Sequence, residues 1–174
     1  MIRVCFHGAE STGKTVLAGK LGAELACPVV PEYGRACAEA HGPDLTMVDL
    51  LTIAREQDRL MQEAAAAAPR LLLLDTDPLM TAAWAEMLFG TVPEGLLGYD
   101  RAEHYLLLSA EVPWTADGTR MFGTATDRAR FAVIAEQMLV RTGVSYQRIG
   151  GDWGEREREA GAAIGALLRD TGAP

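Results

Sequence analysis

Asparagine is absent from this chain, and lysine is almost so: Lys14 and Lys20 are its two lysines among 16 basic residues. Cysteine and histidine are scarce as well, with three of each. Cys5, Cys27 and Cys37 form no Cys-x-x-Cys pair, and His7, His41 and His104 lie too far apart to act as a helical metal pair. Free thiols and no structural zinc are expected. No apolar run approaches the roughly 20 residues of a membrane span, and the apolar start Ile2 to Phe6 runs straight into a glycine loop, unlike a leader segment. No membrane partner and a cytoplasmic location are expected.

Positive charge is also in deficit. Sixteen Lys and Arg face 24 Asp and Glu, giving a formal net charge of -8 and a pI near 4.9. Bulk attraction for a polyanion is therefore lacking, and nucleic acid is not an expected partner. Any phosphate must be held locally, by backbone amides and a few converging cations.

What is present is an ordinary globular composition, 49% hydrophobic and 23% charged over 174 residues, enough for one domain with one core. Short apolar runs alternate with helical periodicity. Residues 2–7, 29–30, 71–74, 104–108 and 144–149 read as strands. Residues 14–25, 46–67, 79–89, 127–140 and 155–168 read as helices, with Pro69 ending one and Gly90 closing another. This predicts an α/β fold, a mainly parallel five-stranded sheet with helices on both faces, in a single domain spanning 1–174. Sites in such sheets gather at the carboxyl ends of the strands.

Gly8-Ala9-Glu10-Ser11-Thr12-Gly13-Lys14-Thr15 matches G-x-x-x-x-G-K-[ST] between the first strand and the first helix. At this composition chance supplies about 0.002 matches. Gly8, Glu10, Ser11, Thr12 and Gly13 provide the backbone cradle, Lys14 reaches the β- and γ-phosphates, and the Thr15 hydroxyl is a magnesium ligand. Asp75 closes Leu71-Leu72-Leu73-Leu74, where a carboxylate serves the same magnesium. Asp77, before Pro78, is either a second functional carboxylate or the cap of the next helix.

Glu32, Tyr33 and Arg35 follow the short second strand. Glu32 is a candidate proton acceptor, Arg35 a candidate clamp on the transferring phosphoryl group or its acceptor, and Tyr33 a flat face for a ring. A surface turn with a solvated ion pair is the alternative. Residues 113–126, with Trp114 and Arg120 and then Arg128 just beyond, read as a short lid or as an ordinary loop. Trp153, after Gly150-Gly151-Asp152, is placed to meet the base of a nucleotide, and Trp84 to meet the acceptor. Either tryptophan, like Tyr99 and Trp114, can instead be core.

Taken together, the motifs at 8–15, Pro31-Glu32-Tyr33-Gly34-Arg35, Asp75-Thr76-Asp77 and Pro113-Trp114-Thr115-Ala116-Asp117-Gly118-Thr119-Arg120 resemble the ribosylnicotinamide kinase domain of the NadR family. The resemblance implies a P-loop nucleoside- or nucleotide-kinase-like fold with a short lid, and transfer of phosphate from ATP, with magnesium, to the 5′-hydroxyl of nicotinamide riboside. It also implies that Glu32 and Arg35 serve the acceptor, that Asp75 and Asp77 serve metal and ribose, and that Arg120 and Arg128 belong to the lid. Longer members carry nucleotidyl-transfer and DNA-binding regions ahead of the kinase, so adenylyl transfer and repression are not expected here. Three readings stay open: this kinase, with Glu32 or Asp77 as base; a kinase of another nucleoside or small alcohol; and a nucleotide-dependent switch or ATPase module. Oligomeric state is not encoded in any readable pattern.

Overall fold

The computed structural model describes residues 1–42, 44–111, 121–170 and 172. Trp114, Arg120 and most of the expected lid lie outside the described residues.

Five strands alternate with helices along the chain: β1 (Ile2–His7), β2 (Val29–Val30), β3 (Leu71–Asp75), β4 (His104–Leu108) and β5 (Tyr146–Ile149). They form one sheet in the order β2-β3-β1-β4-β5, parallel at every pairing. The helices are α1 (Lys14–Glu24), α2 (Tyr33–His41), α3 (Met47–Ala66), α4 (Pro78–Phe89), the short α5 (Glu94–Leu97), α6 (Ala125–Thr142) and α7 (Trp153–Asp170). The expected covering of the sheet by helices on both faces follows from the sequences of its central strands. Alternate residues of β1, β3 and β4 face opposite layers, and both layers are apolar. Val4, Phe6, Leu71, Leu73, Leu106 and Leu108 pack with Leu17 and Leu21 of α1 and with Ile164 of α7. Cys5, Leu72, Leu74, Tyr105 and Leu107 face the other layer, with Met61 of α3, Leu79 of α4 and Leu139 of α6.

The chain leaves β1 for the far edge at β2, returns through β3, and then crosses beyond β1 to β4 and β5. The order reverses at β1, and the carboxyl end of that strand is where ligand sites form in open parallel sheets.

Two helices were not read from the sequence, the short α5 and the longer α2. The residues after β2 form a helix, α2, with Glu32 as its N-cap residue. Ala36, Ala38 and Ala40 favour it, and its inner face rests on α3. Helix α3 begins with a capping box in which Thr46 and Asp49 satisfy each other's backbone N–H groups.

Candidate active site

The loop after β1 has the shape its glycines demand. Gly8 sits at φ 133° and Gly13 at φ 90°, both in the region closed to side chains. A Cβ on Gly8 would lie 2.7 Å from the Leu108 carbonyl oxygen. Within the loop, Lys14 Nζ donates to the carbonyl oxygens of Gly8 and Ala9, each at 2.9 Å, and the Thr12 hydroxyl donates to Ala9 O at 3.0 Å. Thr12 is thus a brace of the loop itself. Thr15 is exposed in the first turn of α1.

One cleft joins this loop to the acceptor-side residues. Gly8, Glu10, Ser11 and Lys14 line it together with Glu32, Gly34 and Arg35, and its far end is apolar, with Leu50, Ile53, Met80, Trp84 and Phe131. Trp84 stacks on Phe122 with ring centres 5.4 Å apart and meets Phe131 edge-on at 4.7 Å. Glu32 is 19% exposed and lies 3.9 Å from the Arg35 guanidinium. Burial pushes its carboxyl above the ordinary range, Lys14 and Arg35 oppose that, and Asp75 and Glu10 add to it.

The two carboxylates after β3 part company. Thr76 between them adopts φ 75°, a strained conformation for a β-branched residue. Asp77, 1% exposed, accepts a hydrogen bond from Leu79 N–H at 3.0 Å and another from the Tyr105 hydroxyl. It caps α4 and is not part of the cleft lining. Burial raises its carboxyl to about 6, against the pull of these hydrogen bonds. Burial also pushes the Tyr105 hydroxyl well up, reinforced by the Asp77 charge. Asp75 is buried at the end of β3, level with Phe6 of β1, and its Oδ1 has no hydrogen-bond partner among the described residues. Such an oxygen beside the phosphate loop fits a cation with its water shell. No cluster of three or more His, Cys, Asp or Glu side chains poised for a metal exists among the described residues.

The remaining expected residues are dispersed around the cleft. Tyr33 packs on the apolar cluster beneath α2 instead of lining the cleft. Trp153, 51% exposed, lies over Gly13: a Cβ there would come within 2.2 Å of its indole. Arg128 stands in the first turn of α6 and donates to Ala110 O at 2.7 Å. Glu10 accepts from the backbone N–H groups of Met121 and Phe122 at 2.9–3.2 Å. Arg128 and Glu10 therefore fasten the two ends of the segment expected to be the lid.

Two buried polar residues were not singled out in the sequence. Gln57 of α3 holds the backbone on both sides of Glu32. Arg156 of α7 binds the carbonyl oxygens of Gly151, Thr12 and Ser109. Each sits in a run of charged residues on an amphipathic helix, where the sequence shows only another polar position.

Comparison with known proteins accords with this geometry. The AAA domain (AAA_28) pattern matches residues 3–156. The trifunctional NAD biosynthesis/regulator proteins NadR of Escherichia coli (strain K12) and Salmonella typhimurium (strain LT2) are each 29% identical over 153 residues, 84% of this chain and 37% of theirs. The chain thus spans little more than a third of the length of these curated relatives. A crystal structure of NadR protein in complex with NR superposes with a TM-score of 0.75 at 22% identity, over 94% of this chain and 50% of that one. Thymidylate kinase from Ehrlichia chaffeensis gives 0.67 at 10% identity, over 96% and 98%. The likeness to NadR expected from the short motifs extends over most of the chain, and the fold is that of the P-loop kinases. With the family pattern running from the first strand into the last helix, the chain belongs to the AAA domain family.

Proposed function

We propose that the chain is an ATP-dependent kinase that phosphorylates the 5′-hydroxyl of nicotinamide riboside, giving nicotinamide mononucleotide for NAD salvage. The observation that carries this reading is that one cleft is lined both by Lys14 of the phosphate loop and by Glu32. The relatives support it: two are named as NAD biosynthesis proteins, and solved NadR structures hold NR, or NAD with AMP-PNP. Residues 1–174 are read as one kinase domain with its lid at 113–126, and a cytoplasmic location suits its substrates. Among the described residues no helix is long and apolar enough to cross a membrane.

The phosphate loop binds the triphosphate, and Lys14 exchanges its bonds to Gly8 and Ala9 for phosphate oxygens. Trp153 borders the base, while the acceptor occupies the apolar end against Trp84. Glu32 takes the proton of the 5′-hydroxyl as that oxygen bonds to the γ-phosphorus; the bond from phosphorus to the β,γ-bridging oxygen breaks, and ADP leaves with the electron pair. A carboxyl raised by burial is a better base for this than an ordinary one. Glu32 is the base on this reading and Asp77 is not, because both Asp77 oxygens are engaged away from the cleft. Arg35 and the lid residue Arg120 stabilise charge on the transferring group, and Arg128 secures the lid's near end. Thr15 and Asp75 would hold magnesium, which when bound offsets charge on the phosphate oxygens.

Radiolabelled ATP offered with a panel of nucleosides and small alcohols tests the proposal. Label on nicotinamide riboside ahead of all other acceptors is the expected result. Label on a different nucleoside would move the acceptor assignment. Phosphate release with no acceptor labelled would leave a switch or ATPase module in its place.

A further inference from the structure

Arg156 is the largest of the fully buried side chains, at 0% exposure, and its hydrogen bonds go entirely to uncharged groups. Nε donates to Gly151 O at 2.8 Å, one terminal nitrogen to Thr12 O at 3.1 Å, and the other to Ser109 O at 3.2 Å and Ser109 Oγ at 2.9 Å. Among the described residues no carboxylate pairs with it; Glu111 acts on it only through its charge. A guanidinium remains protonated when buried, and buried cations in folded proteins are ordinarily matched by an anion. Here the three segments that Arg156 ties together are the phosphate loop, the end of β4 and the start of α7. The latter two both touch the phosphate loop, Leu108 O at Gly8 and the Trp153 indole at Gly13.

The bond to Thr12 has a directional consequence. The Thr12–Gly13 peptide is rigid and trans, so its carbonyl oxygen and the Gly13 N–H point in opposite directions. With the oxygen fixed on Arg156, the Gly13 N–H is turned away from Arg156, and N–H groups of glycine loops at a helix start are the donors that hold phosphate. Bond and charge act together. The same guanidinium sets the amide and leaves a positive charge behind the loop that no carboxylate among the described residues pairs with directly.

We propose that Arg156 is a positioning residue of the donor site: it orients the Thr12–Gly13 peptide for phosphate, and the polyphosphate of the bound nucleotide is its missing counter-charge. This rests on the nucleotide-binding reading above. Its effect therefore scales with the phosphates of the ligand and is indifferent to the acceptor.

Calorimetric titration of the full chain with ATP, ADP and adenosine, in wild type and in Arg156→Met, tests the assignment, with thermal unfolding to verify folding. Arg156→Met should weaken ATP and ADP by about tenfold or more, leave adenosine unchanged and leave the KM of the acceptor unchanged. Arg156→Lys, which keeps the charge but cannot span three carbonyls, should recover part of the loss. A folded Arg156→Met that binds ATP as wild type does, or that loses ATP and adenosine equally, overturns the assignment. If Arg156→Met does not fold, Arg156→Lys decides: a loss of about threefold or more for ATP with an unchanged acceptor KM supports it, and wild-type affinity overturns it. Wild-type protein that binds no ATP would be a different outcome, removing the donor-site reading and this inference with it.

Discussion

The side-chain amide of Gln57 brackets Glu32. Its Oε1 accepts from the N–H of Tyr33 at 2.8 Å and its Nε2 donates to the carbonyl of Pro31 at 3.2 Å, so one buried residue of α3 holds both peptide groups beside the proposed base. Gln57 is 2% exposed and borders the cleft. The position of the carboxylate thus depends on a helix remote in sequence.

Replacing Gln57 with leucine leaves two backbone groups unpaired, at a cost of about 1–3 kcal/mol each. For Gln57→Leu we expect kcat to fall about tenfold or more while ATP affinity is kept. Steady-state kinetics with both substrates reads this directly; equal kcat in the folded variant would mean that Glu32 is held by something else.

Glu32 must be ionised to accept a proton, and burial raises its carboxyl. Activity should therefore climb with pH through a titration above the ordinary glutamate range. Glu32→Gln should lower kcat by about a hundredfold or more and abolish this acidic limb. A limb that persists in Glu32→Gln belongs to another group.

Asp77 supplies a stability test separate from catalysis. The native carboxyl keeps its proton up to about pH 6, whereas the reference value is 3.8, so the native state binds more protons between these values. Stability then falls as pH rises across that window, by an amount of order 3 kcal/mol. Asp77→Asn retains an oxygen to cap α4 and should flatten the dependence. Urea unfolding at pH 4 and pH 7 checks it; identical slopes in both proteins would show that Asp77 is not the group responsible.

Why Glu32 and Lys14 could be found in the sequence, and Gln57 and Arg156 could not, has a physical basis. The phosphate loop is local: strand, glycines, lysine and helix follow one another, and eight consecutive residues set its shape. The Leu71–Leu74 run likewise announces a buried strand, and Asp75 ends it. Gln57 reaches across 24 and 26 residues, and Arg156 across as many as 144, to peptides whose only distinguishing trait is where the fold brings them. Helix α2 was obscured for another reason. Its first turn contains Gly34, and the polar cluster Glu32-Tyr33-Gly34-Arg35 reads as a turn until packing on α3 favours the helix. Asp77 shows the converse, since its capping role was visible beside Pro78.

Glu10 joins the phosphate loop to Met121 and Phe122. Glu10→Ala should raise the hydrogen-exchange rates of those two amides and lower kcat, by releasing the end of the lid segment that also carries Phe122 against Trp84. Unchanged protection at both amides would show that this attachment bears no load in solution.

Lys14→Ala should abolish turnover, because it removes the loop's own cation and leaves the Gly8 and Ala9 carbonyls without their donor. Arg120→Ala should instead reduce kcat more than it weakens ATP binding. Comparing ATP dissociation constants with single-turnover rates separates the two; an Arg120→Ala protein with full kcat would remove Arg120 from the lid's chemistry.

The contact between Trp153 and Gly13 makes the protein its own optical probe. An indole half open to solvent, lying across the hinge of the phosphate loop, changes its emission when that loop fills. With Trp84 and Trp114 replaced by phenylalanine, the remaining fluorophore reports donor occupancy alone. Restoring Trp84 adds a second reporter, one that lines the cleft together with Lys14 and Glu32. The order in which two substrates arrive thus becomes readable in a stopped-flow trace, with no label attached.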